Sequence, residues 1–204
     1  MGTKGEQTRE HILATAEGII LRRGYGGTSI EQIIGAAGIT KGGFFYHFDG
    51  KNDLARNLIK RFLKNDLAEF TAIADRAHSL TEDPLQQLLL FLKLLAEALE
   101  DMPGAHPGCL VAAFAYEAEQ FDDEVRKLNA EGVLAWRHIF LGYFEKVVEK
   151  YPMKIEQPLG ELADMLSTII EGGIVVSKVL GDRSILPNQL LQFRNYVRLV
   201  FGDV

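Results

Sequence analysis

The sequence predicts an all-α fold of about nine helices, divided into a small N-terminal three-helix unit and a larger C-terminal helical bundle. Apolar residues recur at helical spacing, as at Ile12, Ala16 and Ile19. The alternation typical of β-strands is almost absent, and Gly and Pro residues divide the chain into segments of helical length. We expect the boundary near residue 50, which gives domains 1–50 and 51–204.

Three short helices are predicted in the N-terminal domain. The first runs from Thr8, as its N-cap, to Arg23, where a glycine-rich turn begins. Thr28 is predicted to cap the second helix and Thr40 the third, because a threonine hydroxyl can accept a hydrogen bond from a backbone N–H of the first turn.

Six further helices are predicted in the C-terminal domain. Prolines mark several of their boundaries, because proline lacks a backbone N–H and is tolerated only near a helix start. The predicted bounds are 51–78, 84–100, a start near Gly108, 122–151, 159–180 and 187–201.

Residues 28–54 contain the most informative pattern. Two short helices joined by a tight glycine-containing turn have the geometry that places one helix in the major groove of DNA. The informative positions are the runs 38–42 and 46–48, Lys51 and Leu54, joined upstream by Thr8, Ile12, Ala16, Gly24 and Tyr25. On these positions the chain resembles the tetracycline-repressor (TetR) family of bacterial regulators. The resemblance implies an all-helical dimer that binds DNA and a small effector.

Base recognition is expected from the first turn of the third helix. By resemblance, Thr40, Lys41 and Gly42 align with positions that face DNA. Lysine can donate to guanine O6 or N7, threonine can donate, accept or offer a methyl group, and glycine lets the backbone approach closely. Phe44 and Phe48 are expected in the core of the small domain.

Phosphate contacts are expected from the neighbouring polar side chains. Tyr46 and His47 can each donate one hydrogen bond, and Lys51 adds charge beside a helix N-terminus. Thr28 could do the same at the start of the second helix. Phe45 stands where the family commonly has a tyrosine, so we expect it to stack against a sugar or to fill the small core.

The charge distribution agrees with this interpretation. The net charge is −6, yet residues 1–64 hold ten Lys/Arg against six Asp/Glu, and residues 65–204 hold twelve against 22. Phosphate binding requires local positive charge, which only the N-terminal part supplies. Chance could also produce such an asymmetry.

A homodimer is expected, because one short helix reads too few base pairs for specificity in a genome. The resemblance implies that the dimer forms through the last two helices. The alternative is that their apolar faces pack only within the monomer. The candidate interface residues are Leu166, Ile170, Gly173, Phe193 and Val197.

The resemblance implies an effector cavity within the helices that follow the DNA-binding domain. An apolar wall favours a small apolar or aromatic effector, although at each single position the sequence favours an ordinary core residue. The candidate pocket residues are Phe62, Phe91, Leu95, Phe114, Trp136 and Phe140.

Cys109, the single cysteine, is a candidate redox or electrophile sensor, because a helix N-terminus can lower a thiol pKa. The alternative is a small buried apolar residue. One cysteine, a polar segment at 1–10 and the charges within 85–99 together predict a cytoplasmic protein without a membrane span.

We interpret the chain as a DNA-binding transcriptional regulator: a ligand-released repressor that binds a palindromic operator as a dimer. The sequence contains no recognisable catalytic motif, so we expect no enzyme activity, no cofactor and no metal. Two alternatives stay open. One is a module that acts only through protein partners, and the other is an enzyme that uses the helical cavity.

Overall fold

The computed structural model describes residues 3–202, and the all-α prediction is confirmed for them. This part of the chain contains nine α-helices, one 3₁₀ turn at Ala118–Gln120 and no strand. The predicted domains begin at residue 1 and end at residue 204, and both of these residues lie outside the described range. The helices are α1 (Lys4–Arg23), α2 (Ile30–Ala37), α3 (Lys41–His47), α4 (Lys51–Leu80), α5 (Pro84–Glu100), α6 (Leu110–Tyr116), α7 (Asp123–Val148), α8 (Leu159–Leu180) and α9 (Ile185–Phe201).

The start of α1 differs from the prediction. Its N-cap is Thr3, whose hydroxyl accepts from the Glu6 N–H at 3.3 Å, while the Glu6 carboxylate accepts from the Thr3 N–H at 2.7 Å. This reciprocal capping box stabilises the first turn. Thr8 therefore lies inside the helix, where its hydroxyl donates to the Lys4 carbonyl oxygen at 2.9 Å.

The cap of α2 is also corrected, from Thr28 to Ser29. Ser29 Oγ accepts from the Gln32 N–H at 3.2 Å, and Gln32 Oε1 accepts from the Ser29 N–H at 2.8 Å. Thr28 is buried, and its hydroxyl donates to the Gly24 carbonyl oxygen at 2.7 Å. Thr28 therefore closes the turn before α2 and cannot offer its hydroxyl to phosphate.

The other helix bounds lie close to the predictions. The bounds of α8 are as predicted, whereas α4 runs two residues further and α7 ends three residues earlier. Helix α9 begins two residues before Pro187, because proline is tolerated in a first turn, where its missing N–H costs no hydrogen bond. Within residues 3–202, no helix is both long enough and apolar enough to cross a membrane.

The chain divides into two compact units that differ from the predicted domains. The first comprises the described residues up to Asn65 together with Pro107–Gly132, and there α1 packs against α2 and α6. The second comprises Asp66–His106 and the described residues from Val133 onward, and there α9 packs against α5 and α8. The division at residue 50 stays a prediction about where the DNA-binding function ends.

The packing of α8 against α9 corrects the predicted dimer face. Gly173 lies so close to α9 that an added Cβ would be 2.7 Å from Leu186 Cδ1 and 3.1 Å from Leu186 Cα. Four of the five predicted interface residues are buried within the chain and present no surface to a second copy, and Ile170 is half-buried. The four buried residues are Leu166, Gly173, Phe193 and Val197.

This close approach predicts a loss of stability for Gly173→Ala. The new methyl group should force α8 and α9 apart and lower the free energy of unfolding by about 1–3 kcal/mol, measured by urea denaturation. Gly142→Ala on α7 is the matched control, because no atom lies within 4 Å of its added Cβ. It should be neutral or stabilising by about 0.5–1 kcal/mol. Equal effects of the two substitutions would contradict the steric explanation.

Candidate nucleic-acid interface

The turn between α2 and α3 depends on Gly38. This residue has φ +64° and ψ 32°, the left-handed conformation that costs other residues about 1–2 kcal/mol. The Ile39 N–H then donates to the Ile34 carbonyl oxygen at 3.2 Å, which ties the turn to the end of α2. Glycine at this position therefore allows the two short helices to follow each other directly.

Thr40 caps α3, as predicted. Its Oγ1 accepts a hydrogen bond from the Gly43 N–H at 3.0 Å, which compensates for the poor helix propensity of the glycine pair at 42 and 43. Thr40 is exposed, and its hydroxyl keeps a hydrogen to donate. The residue can therefore both stabilise the start of α3 and contact a ligand.

One face of α3 anchors it to the first unit. Phe44 and Phe48 are buried, as predicted, with ring centroids 5.5 Å apart. The guanidinium carbon of Arg9 lies 5.2 Å from the centroid of Phe48, and the Arg9 Nη2 donates to Asn57 Oδ1 at 2.5 Å. These contacts link α3 to α1 and α4.

The opposite face of α3 is exposed. Tyr46 is 83% exposed and Phe45 is 45% exposed, so Phe45 does not fill the small core and is placed on the surface. His47 is half-buried, with its ring centroid 4.9 Å from that of Tyr46. The other residues of this exposed face are Thr40, Lys41 and Gly42. We call Thr40, Lys41, Gly42, Phe45 and Tyr46 the α3 outer face.

Lys51 is half-buried and contacts the turn before α2. Its Nζ donates to the Tyr25 carbonyl oxygen at 2.6 Å and lies 4.0 Å from the centroid of the Tyr25 ring. Burial lowers the pKa of Lys51, and the charge of Glu117 opposes that shift. The ammonium group thus stabilises the turn before α2, and a contact of Lys51 with phosphate stays a prediction.

Tyr25 is the centre of an aromatic cluster in the first unit. It is buried, and its ring centroid lies 5.5 Å from that of Phe114 and 4.3 Å from that of Phe121. Burial raises the pKa of the Tyr25 hydroxyl. Phe114 was predicted in an effector pocket, but its ring packs against Tyr25 and Phe121 and belongs to this cluster.

Glu117 is a contact residue that no sequence pattern predicts. Its Oε1 accepts from the Tyr25 N–H at 2.7 Å, and its Oε2 accepts from the Gly26 N–H at 2.6 Å. Residues 25 and 117 are 92 positions apart, and no helical period or local motif connects them. Only a three-dimensional structure could reveal this contact.

The second unit contains a different aromatic cluster. The Phe91 ring centroid lies 6.2 Å from that of Phe70, 6.5 Å from that of Phe140 and 5.0 Å from that of Tyr143. The Tyr143 hydroxyl is buried and has no hydrogen-bond partner among the described residues. Buried hydroxyl groups are normally hydrogen-bonded. Of the predicted pocket residues, Phe91, Leu95, Trp136 and Phe140 belong to this unit, and Phe62 and Phe114 belong to the first.

Trp136 has a polar partner. Its side chain is hydrogen-bonded to Asp66, and the indole N–H is the only donor it can use. Burial raises the pKa of Asp66 to about 6, the charge of Glu69 adds to this effect, and the Trp136 bond opposes it. Trp136 therefore has a carboxyl partner that titrates closer to neutral pH than an ordinary aspartate.

Cys109 lies at the N-cap of α6 with its side chain buried. Burial limits the access of oxidants to a thiol, so the location favours the apolar role over the sensing role. Its function as a sensor stays a prediction. Among the described residues, no group of three or more His, Cys, Asp or Glu side chains could hold a metal ion.

Comparison with known proteins shows the family of this chain. Residues 12–58 match the family described as "Bacterial regulatory proteins, tetR family", and residues 84–189 match "Transcriptional regulator LmrA/YxaF-like, C-terminal domain". The chain is 31% identical over 176 residues to the HTH-type transcriptional regulator LmrA of Bacillus subtilis, covering 83% of this chain and 86% of LmrA. The chain belongs to the TetR family of bacterial transcriptional regulators.

Further relatives share most of their length with this TetR-family regulator. The HTH-type transcriptional repressor DhaR of Mycobacterium sp. strain GP1 is 25% identical over 175 residues, covering 86% of this chain and 84% of DhaR. A TetR-family structure from Agrobacterium tumefaciens has a TM-score of 0.80 at 19% identity, covering 95% of this chain and 98% of that one. Reduced Escherichia coli NemR has a TM-score of 0.74 at 21% identity, covering 93% and 96%. The Agrobacterium tumefaciens and NemR structures therefore share the fold of this chain.

The raised pKa of Asp66 predicts a pH-dependent stability. The folded carboxyl group holds its proton more tightly than the unfolded one, so its contribution is present below about pH 4 and is lost as the pH rises through about 6. Asp66→Asn removes the titrating group. The melting temperature of this variant, relative to wild type, should therefore rise between about pH 4 and about pH 7.

The exposed Glu145 on α7 provides the control for this measurement. Glu145→Gln should keep the pH profile of the wild-type protein. A pH-independent difference between Asp66→Asn and wild type would contradict the assignment.

Proposed function

We propose that this TetR-family regulator is a homodimeric repressor that binds a palindromic operator and is released by a small apolar or aromatic effector. The α3 outer face is the observation that carries the proposal. It presents polar and aromatic side chains on a short helix, and buried phenylalanines anchor the other face of this helix. Repression is supported by relatives named as repressors, DhaR and NemR.

The side chains of the α3 outer face suit two kinds of DNA contact. Lys41 and Thr40 lie in the first turn, where groove-docking helices contact base edges. Gly42 has no side chain, and an added Cβ there would meet no atom within 4 Å, so the backbone can approach the duplex. Tyr46 can donate its hydroxyl hydrogen to a phosphate oxygen, and Phe45 can pack against a sugar. Lys51 and Thr28 are not part of this surface, because they stabilise the preceding turn.

An exposed apolar stripe on α8 supports the dimer. Met165, Gly172, Val176 and Val179 are spaced at 7, 4 and 3 residues and lie on one side of the helix. All four are exposed, and an added Cβ at Gly172 would meet no atom within 4 Å. A contiguous exposed apolar surface marks an interaction site. We define these four residues as the α8 stripe and propose that it contacts the same stripe of a second copy.

The aromatic cluster of the second unit supports an effector with a few polar groups. Phe70, Phe91 and Phe140 offer apolar surface, and the Tyr143 hydroxyl offers an unused hydrogen bond. An aromatic ligand with one acceptor or donor would satisfy that hydroxyl.

DNA selection with the purified protein tests the whole proposal. Random duplexes enriched by the protein should converge on an inverted repeat, and sedimentation of the complex should give two chains per site. Enrichment without a consensus, or a complex containing one chain, would refute the palindromic dimer. A protein that acts only through partner proteins would enrich no sequence at all.

Replacing Lys41 and Tyr46 should separate base reading from phosphate binding. Lys41→Ala should cost about 1–3 kcal/mol on the selected operator and relax the preference at one base pair. Tyr46→Phe removes only a hydroxyl donor and should weaken binding to operator and random DNA by the same factor. Fluorescence anisotropy on both duplexes gives, for each variant, the ratio of its operator affinity to its random-DNA affinity. The same ratio for both variants would contradict this division.

Placing a charge in the α8 stripe should dissociate the dimer. Val176 is 43% exposed, so Val176→Lys should leave the monomer folded and shift sedimentation toward one chain. Val133→Lys on α7 is the matched control, because this valine is 39% exposed and lies outside the stripe. The control should remain dimeric. An unchanged sedimentation coefficient for Val176→Lys would exclude the stripe as the interface.

A further inference from the structure

We propose that Glu117 is a positioning residue for operator binding, because its carboxylate fixes the turn from which α2 and α3 start. The inference rests on the proposed operator-binding function. Glu117 lies at the end of α6 and accepts hydrogen bonds from two consecutive backbone N–H groups, those of Tyr25 and Gly26. Successive backbone N–H groups that converge on one carboxylate form an anion-binding site. Charge-assisted bonds of this kind are about twice as strong as neutral ones.

The turn is shaped around this carboxylate. Gly24 has φ +77°, and an added Cβ there would lie 2.6 Å from Glu117 Oε1. An added Cβ at Gly26 would lie 2.7 Å from Glu117 Oε2. The two glycines that flank Tyr25 therefore let the carboxylate reach the backbone. Both N–H groups lie beyond the end of α1, and both donate to this one carboxylate.

The same turn determines where α2 begins. The Tyr25 carbonyl oxygen accepts from the Thr28 N–H at 3.1 Å and from Lys51 Nζ at 2.6 Å. The Thr28 hydroxyl bonds to Gly24, and Ser29 then caps α2. The turn is therefore held by Glu117 at the end of α6, Lys51 at the start of α4 and Thr28. Fixing it during folding removes an ordering cost that operator binding would otherwise have to meet.

The charge of Glu117 is required, as well as its size. Gln120 Nε2 donates to Glu117 Oε2 at 2.7 Å, so this oxygen already accepts two hydrogen bonds. In Glu117→Gln, one oxygen becomes an NH₂ group that would face backbone or amide donors. A glutamine of nearly the same volume would thus lose acceptors and add a donor–donor clash.

The experiment compares full-length Glu117→Gln with Glu119→Gln. Glu119 is exposed and lies in the 3₁₀ turn two residues further along, so it controls for the loss of one charge in this segment. Operator and random-DNA affinities are measured by anisotropy, and amide hydrogen exchange is followed at residues 25 and 26. Glu117→Gln should weaken operator binding by about tenfold while random-DNA binding changes little, and exchange at both amides should accelerate. Glu119→Gln should match wild type in all three measurements.

The outcomes separate the possible failures. A purely structural role would reduce the folded fraction and lower both affinities by the same factor, and this result would overturn the proposal. Unchanged operator affinity despite faster exchange would overturn it as well. If Glu117→Gln fails to fold, Glu117→Asp keeps the charge but is one methylene too short to reach both N–H groups, and the same criteria apply. A wild-type protein that selects no operator would refute the proposed function itself.

Discussion

Two backbone N–H groups at the end of α1 need an acceptor, and the first unit is organised around the carboxylate that supplies one. Glu117 accepts hydrogen bonds from the Tyr25 and Gly26 N–H groups, and the Tyr25 ring packs against both Phe114 and Phe121. Lys51 also holds this turn, because its Nζ donates to the Tyr25 carbonyl oxygen. These hydrogen bonds share the same short turn, so each partner stabilises the others' positions.

Local patterns predicted the helices well, and distant contacts explain what they missed. Helical periodicity and prolines placed α8 at its observed bounds, and glycine at 38 ended α2. The caps at Thr3 and Ser29 carry sequence signatures, since Glu6 and Gln32 follow each at the capping-box spacing. The positions of Lys51 and Phe114 depend on residues far away in sequence, which no period or motif encodes.

Helix α8 illustrates a limit of apolar patterns. It carries apolar residues around most of its circumference, so its sequence does not distinguish the side that packs in the chain from the side left exposed. The small residue Gly173 lies against Leu186, whereas Gly172 beside it faces open space. Adjacent glycines thus take opposite roles, one in internal packing and one on the α8 stripe. The position of α9 determines that Gly173 packs internally and that Gly172 is exposed.

The contact between Glu117 and Gly26 spans 91 residues, which has a consequence during translation. The ribosome delivers α1, α2 and α3 first, but the carboxylate that completes their turn follows only after α4, α5 and α6. At about 5–20 residues per second, this delay is roughly 5–20 seconds. Throughout it, the nascent first unit lacks both its acceptor and two of its aromatic rings. Helices α1, α2 and α3 therefore complete their packing only when the middle of the chain has been made, although they are synthesised first.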